Sequence, residues 1–192
     1  MKCTTSQCPI RKIMFRFANM LYFHGRAILL IRNPFSAILS MFRHVNFGFH
    51  SSSHMAVRED ISSIFNAERV NLYFTDKFRK FAAKSIKKWK NIIEDWVILG
   101  NIIVVHHEDV ISDKMEQMQR ILDFLEVDPE QQRLACLKFS NVDIFKRKSK
   151  PLQRNPFAGE LSKRIRQHID QVDTLLIEFG HPRIPYNKYR IF

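Results

Sequence analysis

The stretch AILLIRNPF, from Ala27 to Phe35, constrains the fold more than any other part of the chain. Five aliphatic residues, Ala27 to Ile31, run without polar alternation, as a strand covered on both faces of a parallel sheet does. Arg32 ends the run. Pro34 then suits the first turn of a helix, where its missing N–H has no intrahelical partner to lose. The segment therefore predicts strand, tight turn and helix. Ligands of open α/β sheets bind outside the carboxyl ends of the strands, and Arg32 falls at such an end. Its guanidinium is placed for something anionic.

The chain has 192 residues, 45% of them hydrophobic, enough for one globular unit with a sizeable core. Lys and Arg number 31 against 19 Asp and Glu, a formal net charge of +12. That excess favours a nucleotide, a nucleic acid, a sulfated glycan or a lipid surface as partner, and charge alone does not choose among them. Cys3, Cys8 and Cys136 are odd in number and offer neither a disulfide framework nor paired metal-ligand spacing. Cys136, in an apolar-periodic stretch, reads as a small core residue. Residues 1–26 read as a lead-in. Their apolar part, Ile10 to Arg26, is broken by Arg11, Lys12, Arg16, Asn19 and His24, too often for a spanning helix, and no small-residue cleavage site follows a clean apolar core.

Val45 to Asp60 mixes Gly, Ser and His and predicts an exposed loop of the kind that carries substrate contacts. From Thr75, with Asp76 beside it as a candidate cap, to Gly100, Phe78, Phe81, Ala82, Ile86, Trp89, Ile92, Ile93, Trp96 and Val97 recur at helical spacing, with the Lys and Arg between them on a solvated face. Asn101 to Asp109 predicts a second buried strand. A helix from Ser112 or Asp113 to Glu126 should carry Met115, Met118, Ile121, Leu122 and Leu125 on one face. Asp128-Pro129 should open another, turning Leu134, Leu137 and Phe139 inward. Asn141 to Phe157 is irregular and basic, and Glu160 to Gly180 predicts a last helix. Strands alternating with helices imply parallel pairing through right-handed crossovers.

Three polar clusters are candidates for chemistry. In the first, the helix after Arg32 offers N–H groups and a partial positive charge to a phosphate, and Ser40 adds a hydroxyl two turns on. The alternative pairs Arg32 with a nearby carboxylate and leaves Ser40 a small helix residue. In the second, FKRKSK from Phe145 to Lys150, Arg147 and Lys148 suit phosphate oxygens and Phe145 suits stacking on a base, or the run is ordinary solvated loop. The third is His106-His107-Glu108-Asp109 at a strand end. Consecutive strand residues point to opposite faces, so these four cannot converge on one metal ion, and Glu108-Asp109 should cap the next segment or pair with a basic neighbour.

RNPFSAILS, Arg32 to Ser40, resembles the 3′-phosphate-binding motif of sulfotransferases that use 3′-phosphoadenosine 5′-phosphosulfate (PAPS), which opens on R-[ND]-P and closes on a serine eight residues later. The order of the tryptophan-bearing helix, VVHHED, a helix ending DFLEV and then FKRKS is similar to that family's. Among its branches, AILLIRNP, VVHHED and FKRKS resemble the WSC domain-containing sulfotransferase-like proteins, and the resemblance covers about Ala27 to Tyr189. It implies a three-layer α/β fold of the P-loop nucleotide-binding type, with a parallel sheet. It implies Arg32 and Ser40 as ligands of the 3′-phosphate, Arg147 and Lys148 as added charge, and Phe145 near the adenine. It implies PAPS as sulfuryl donor, a hydroxyl acceptor on a carbohydrate, a Golgi membrane location and no nucleic acid partner. The family's Gly- and Ser/Thr-bearing 5′-phosphosulfate loop has no match in Met1 to Arg26, where Gly25 is the only glycine. Nor is its catalytic base matched, since His24 lies too near the strand. Residues 27–192 are thus expected to form an N-terminally incomplete sulfotransferase-like domain. The alternatives are a non-catalytic basic module that binds glycans or nucleic acid, and a truncated inactive product.

Overall fold

In the computed structural model, which describes residues 25–47, 71–130, 134 and 154–189, the strand β1 is Ala27–Ile31 and β2 is Ile102–His106. They pair in parallel, from Ala27 opposite Ile102 to Ile31 opposite His106. Arg32 and His107 therefore leave the sheet side by side at its carboxyl edge, on chains about 4.8 Å apart. Among the described residues the sheet has these 2 strands.

The aliphatic run does form a strand, but the expectation of cover on both faces needs correction. In β1, Leu29 and Ile31 are buried at 8% and 1% exposure, whereas Ile28 and Leu30 are exposed at 44% and 57%. β2 does meet the expectation, with Val104 and Val105 both buried on opposite sides. The physical reason is unequal cover: a helix over Lys114–Leu125 lies against β2 and donates from Arg120 to the Val104 carbonyl, while no described element covers Ile28 and Leu30 in the same way. A run of aliphatic residues records hydrophobicity, not the number of neighbours.

Helix α1 is Pro34–Phe47, so the predicted loop begins later than Val45, and the rest of that loop lies outside the described residues. Helix α2, Asp76–Leu99, is capped by Thr75 rather than by Asp76, which is its first residue: Thr75 Oγ1 accepts from the Phe78 N–H at 3.4 Å. It stops at Gly100, whose φ of 69° suits a residue without Cβ. Phe78, Ala82, Ile86, Ile93 and Val97 are buried as the spacing requires, while Ile92 is exposed.

Past β2 the polar residues do not continue the strand. His107–Ser112 is a short helix, α3, with Glu108 and Asp109 in its first turn, where the helix dipole favours acids. Helix α4, Lys114–Leu125, is capped by Asp113, whose Oδ1 accepts from the Glu116 N–H. Its predicted apolar face is only half-buried. The buried side chain is Gln117, whose Oε1 accepts from Arg120. Leu134 donates its N–H to the Glu130 carbonyl, as a helix there requires, and Cys136, Leu137 and Phe139 lie outside the described residues. Helix α5 is Glu160–Glu178.

The core lies between β1, α1, α2 and α5. Phe42 of α1 meets Phe78 of α2 with ring centres 5.0 Å apart, and Phe157 meets Phe35 at 5.1 Å and Phe78 at 5.4 Å. Ile165, Ile169, Val172 and Leu176 line the inner face of α5 at helical spacing. Among the described residues no helix is long and apolar enough to cross a membrane, and no group of three or more His, Cys, Asp or Glu is placed to hold a metal ion.

Candidate functional site

The corner at the carboxyl edge of the sheet is built from the turn Arg32-Asn33-Pro34 and the start of α3. Asn33 is buried, and its Oδ1 accepts from the Phe35 N–H at 3.0 Å, capping α1. The Asn33 N–H donates to Glu108 Oε1 at 3.0 Å, from a residue 75 positions away. Trp89 of α2 donates from Nε1 to the Arg32 carbonyl at 3.2 Å. The turn's backbone is thus tied to α2 and α3, and Pro34 contributes no N–H. Most of the donors that the sequence reading offered to a phosphate are therefore already used within the protein.

The Arg32 side chain is different. It is exposed, and among the described residues its guanidinium makes no hydrogen bond or ion pair. The alternative in which it pairs with a neighbouring carboxylate is not what these residues do. Glu108, the acid beside it, spends Oε1 on the Asn33 backbone instead. Asp109, also expected to cap or to find a cation, accepts from Lys188 Nζ at 2.9 Å. Ser40 is exposed on α1, six residues beyond Pro34 and so about 9 Å along the helix axis. Phe145, Arg147 and Lys148 lie outside the described residues.

The electrostatics of the corner follow from burial and from Arg32. Burial, with the Arg32 charge nearby as the second cause, pushes the His107 imidazole below its ordinary pKa. His106 is buried at 1% exposure, and burial lowers its pKa too. Its Nε2 faces the Pro182 carbonyl at 3.2 Å, and since a carbonyl only accepts, Nε2 carries the proton. Both imidazoles are then neutral near pH 7. Burial, with the Glu108 carboxylate as the second cause, raises the pKa of the Tyr189 phenol, so it too stays uncharged. His106 Nδ1, His107 Nδ1, Glu108 Oε2 and the Tyr189 hydroxyl are buried without a hydrogen-bond partner among the described residues.

The C-terminal segment brings Tyr189 here. Asp173 of α5 accepts from the Ile184 N–H and from Arg183, and Lys188 bonds Asp109 and Ser112 of α3. Sequence reasoning missed Trp89 and Tyr189 as neighbours of the corner. Trp89 sat at a core position of a helical pattern, and nothing in that pattern says where an indole N–H points. For Glu108 a signal did exist, an acid placed directly after a buried strand.

Comparison with known proteins adds the family. The Sulfotransferase family model matches residues 21–131, more than half of the chain and the part that contains β1, the Arg32 turn, α2, β2 and α4. The WSCD family member CG9164 of Drosophila melanogaster is 24% identical over 139 residues, 71% of this chain and 40% of that protein. The WSCD family member GA21586 of Drosophila pseudoobscura pseudoobscura is 24% identical over 154 residues, 79% of this chain and 45% of the relative. The WSCD family member AAEL009094 of Aedes aegypti is 23% identical over 158 residues, 81% and 46%. The chain thus spans less than half the length of these curated relatives. No solved structure matches it.

Proposed function

The chain belongs to the sulfotransferase family, and from that premise we propose that its Arg32 corner binds the 3′-phosphate of PAPS and that the protein serves transfer of the sulfuryl group to a carbohydrate hydroxyl. The observation that carries the reading is an exposed guanidinium, unpaired among the described residues, on a backbone turn tied to two other elements. A phosphate bound there gains a charge-assisted contact without first breaking an internal ion pair. In this reading the exposed Ser40 hydroxyl on the following helix would meet the same ligand, and Arg147, Lys148 and Phe145 would add charge and an adenine contact.

PAPS supplies an activated sulfuryl group: the acceptor oxygen forms a bond to sulfur, the bond from sulfur to the 5′-phosphate oxygen breaks, adenosine 3′,5′-bisphosphate leaves, and the acceptor proton passes to a base. Arg32 serves the binding end of this reaction, holding the departing nucleotide by its 3′-phosphate. We place the fold in the three-layer, P-loop-like class of α/β domains and the protein at the Golgi membrane, both on family grounds. Incubation with PAPS and a panel of neutral and acidic oligosaccharides, followed by mass spectrometry, tests the reading. A mass gain of one sulfuryl group on a sugar, with release of the bisphosphate, supports it. Nucleotide binding without transfer would confine the proposal to the site, and no binding at all would end it.

A further inference from the structure

The turn that presents Arg32 is short, yet its backbone is held from outside by two distant side chains, Trp89 at the Arg32 carbonyl and Glu108 at the Asn33 N–H. Glu108 is the unexpected one. Its side chain is only 14% exposed, and its Oε2 is buried without a partner among the described residues. A carboxylate in that place repels the anion that Arg32 would attract, so as pure electrostatics it works against the corner. What Glu108 offers the corner is then a contact and not its charge; the same Oε1 also lies 3.7 Å from His107 Nδ1. The single contact it makes to the turn is the hydrogen bond from the Asn33 N–H, and a charged acceptor makes such a bond roughly twice as strong as a neutral one.

We propose that Glu108 is the positioning residue of the Arg32 corner: by accepting from the Asn33 N–H it fixes the direction in which Arg32 leaves β1, and so sets the affinity of the corner for a phosphate-bearing nucleotide. The inference rests on the proposed nucleotide reading for its consequence, but not for the contact itself. Acceptor and charge separate cleanly in two variants. Glu108→Gln keeps an oxygen for the Asn33 N–H and removes the charge. Glu108→Ala removes both.

Two measurements on the whole chain test this. The first is the amide proton shift of Asn33 by NMR, which needs no ligand: it should lie downfield in wild type, stay partly downfield in Glu108→Gln, and move upfield in Glu108→Ala. No movement in Glu108→Ala overturns the proposal whatever the nucleotide does. The second is calorimetric titration with adenosine 3′,5′-bisphosphate. Glu108→Gln should bind at least as tightly as wild type, and Glu108→Ala about tenfold more weakly. In an Arg32→Ala background the two Glu108 variants should bind alike, because Glu108 acts through Arg32. Tighter binding by Glu108→Ala would show that charge and not position governs, and would overturn the proposal. Absence of binding by wild type would defeat the nucleotide reading and with it the affinity consequence, while the amide shift still decides the contact.

Discussion

Asp173 and His106 are buried side chains with opposite requirements, and each yields a prediction. Asp173 accepts from the buried Ile184 N–H at 2.8 Å and from Arg183, which is itself 71% exposed. The exposed ion pair contributes little, so Arg183→Ala should leave the urea midpoint almost unchanged. Asp173→Ala strands a buried N–H and should cost about 2–3 kcal/mol in urea unfolding. Equal costs would contradict the assignment. His106 is held neutral by burial, with its folded pKa below the ordinary imidazole value of about 6.5. The unfolded chain then binds more protons, so this contribution to stability is complete above about pH 6.5 and is lost as pH falls toward the folded pKa. Urea midpoints should drop between pH 7.5 and 5.5, and His106→Gln should flatten that drop. An unchanged slope would contradict it. At this scale Arg32 was legible in the sequence because a cation ends an aliphatic run. Glu108's partner was not, because it is a backbone N–H 75 residues away, and backbone donors carry no residue-type signal.

Elements were legible in proportion to their periodicity. Helices α2 and α5 repeat their apolar residues over many turns and have chemical punctuation, Thr75 and Gly100 for α2, and both occur where the pattern puts them. Thr75→Ala should cost about 1 kcal/mol through loss of the cap. Phe78, fully buried and in ring contact with Phe42, Tyr73 and Phe157, joins α1, α2 and the segment before α5. Phe78→Ala should therefore cost about 3–5 kcal/mol. Thermal melts check both, and a Phe78→Ala protein as stable as Thr75→Ala would contradict the packing. Two elements misled for physical reasons. Helix α3 has six residues, too few for a period, and its polar start reads in the sequence as the end of the preceding strand. β1 shows the same hydrophobicity whether one face or two is covered.

For the whole molecule, the +12 charge raises the local concentration of any anion, but a general field and a specific corner respond differently to salt. A nucleotide held at the corner should depend on its 3′-phosphate: adenosine 5′-phosphate should bind much more weakly than adenosine 3′,5′-bisphosphate at every salt concentration. The alternative, a basic binding module, predicts capture of sulfated polysaccharide that falls steeply with salt and ignores the free nucleotide. The order of motifs along the chain made the family legible before any fold was known, and two of them, RNP and VVHHED, sit at strand ends, where chemistry constrains residue type. The arrangement of the corner became visible only in three dimensions, once the parallel register set Arg32 beside His107. The most direct measurement is calorimetric titration of adenosine 3′,5′-bisphosphate into wild type and Arg32→Ala. We predict saturable binding by wild type and a loss of about 10- to 100-fold in the variant, the worth of one charge-assisted contact; equal affinities in the two proteins, or none in either, would contradict the account.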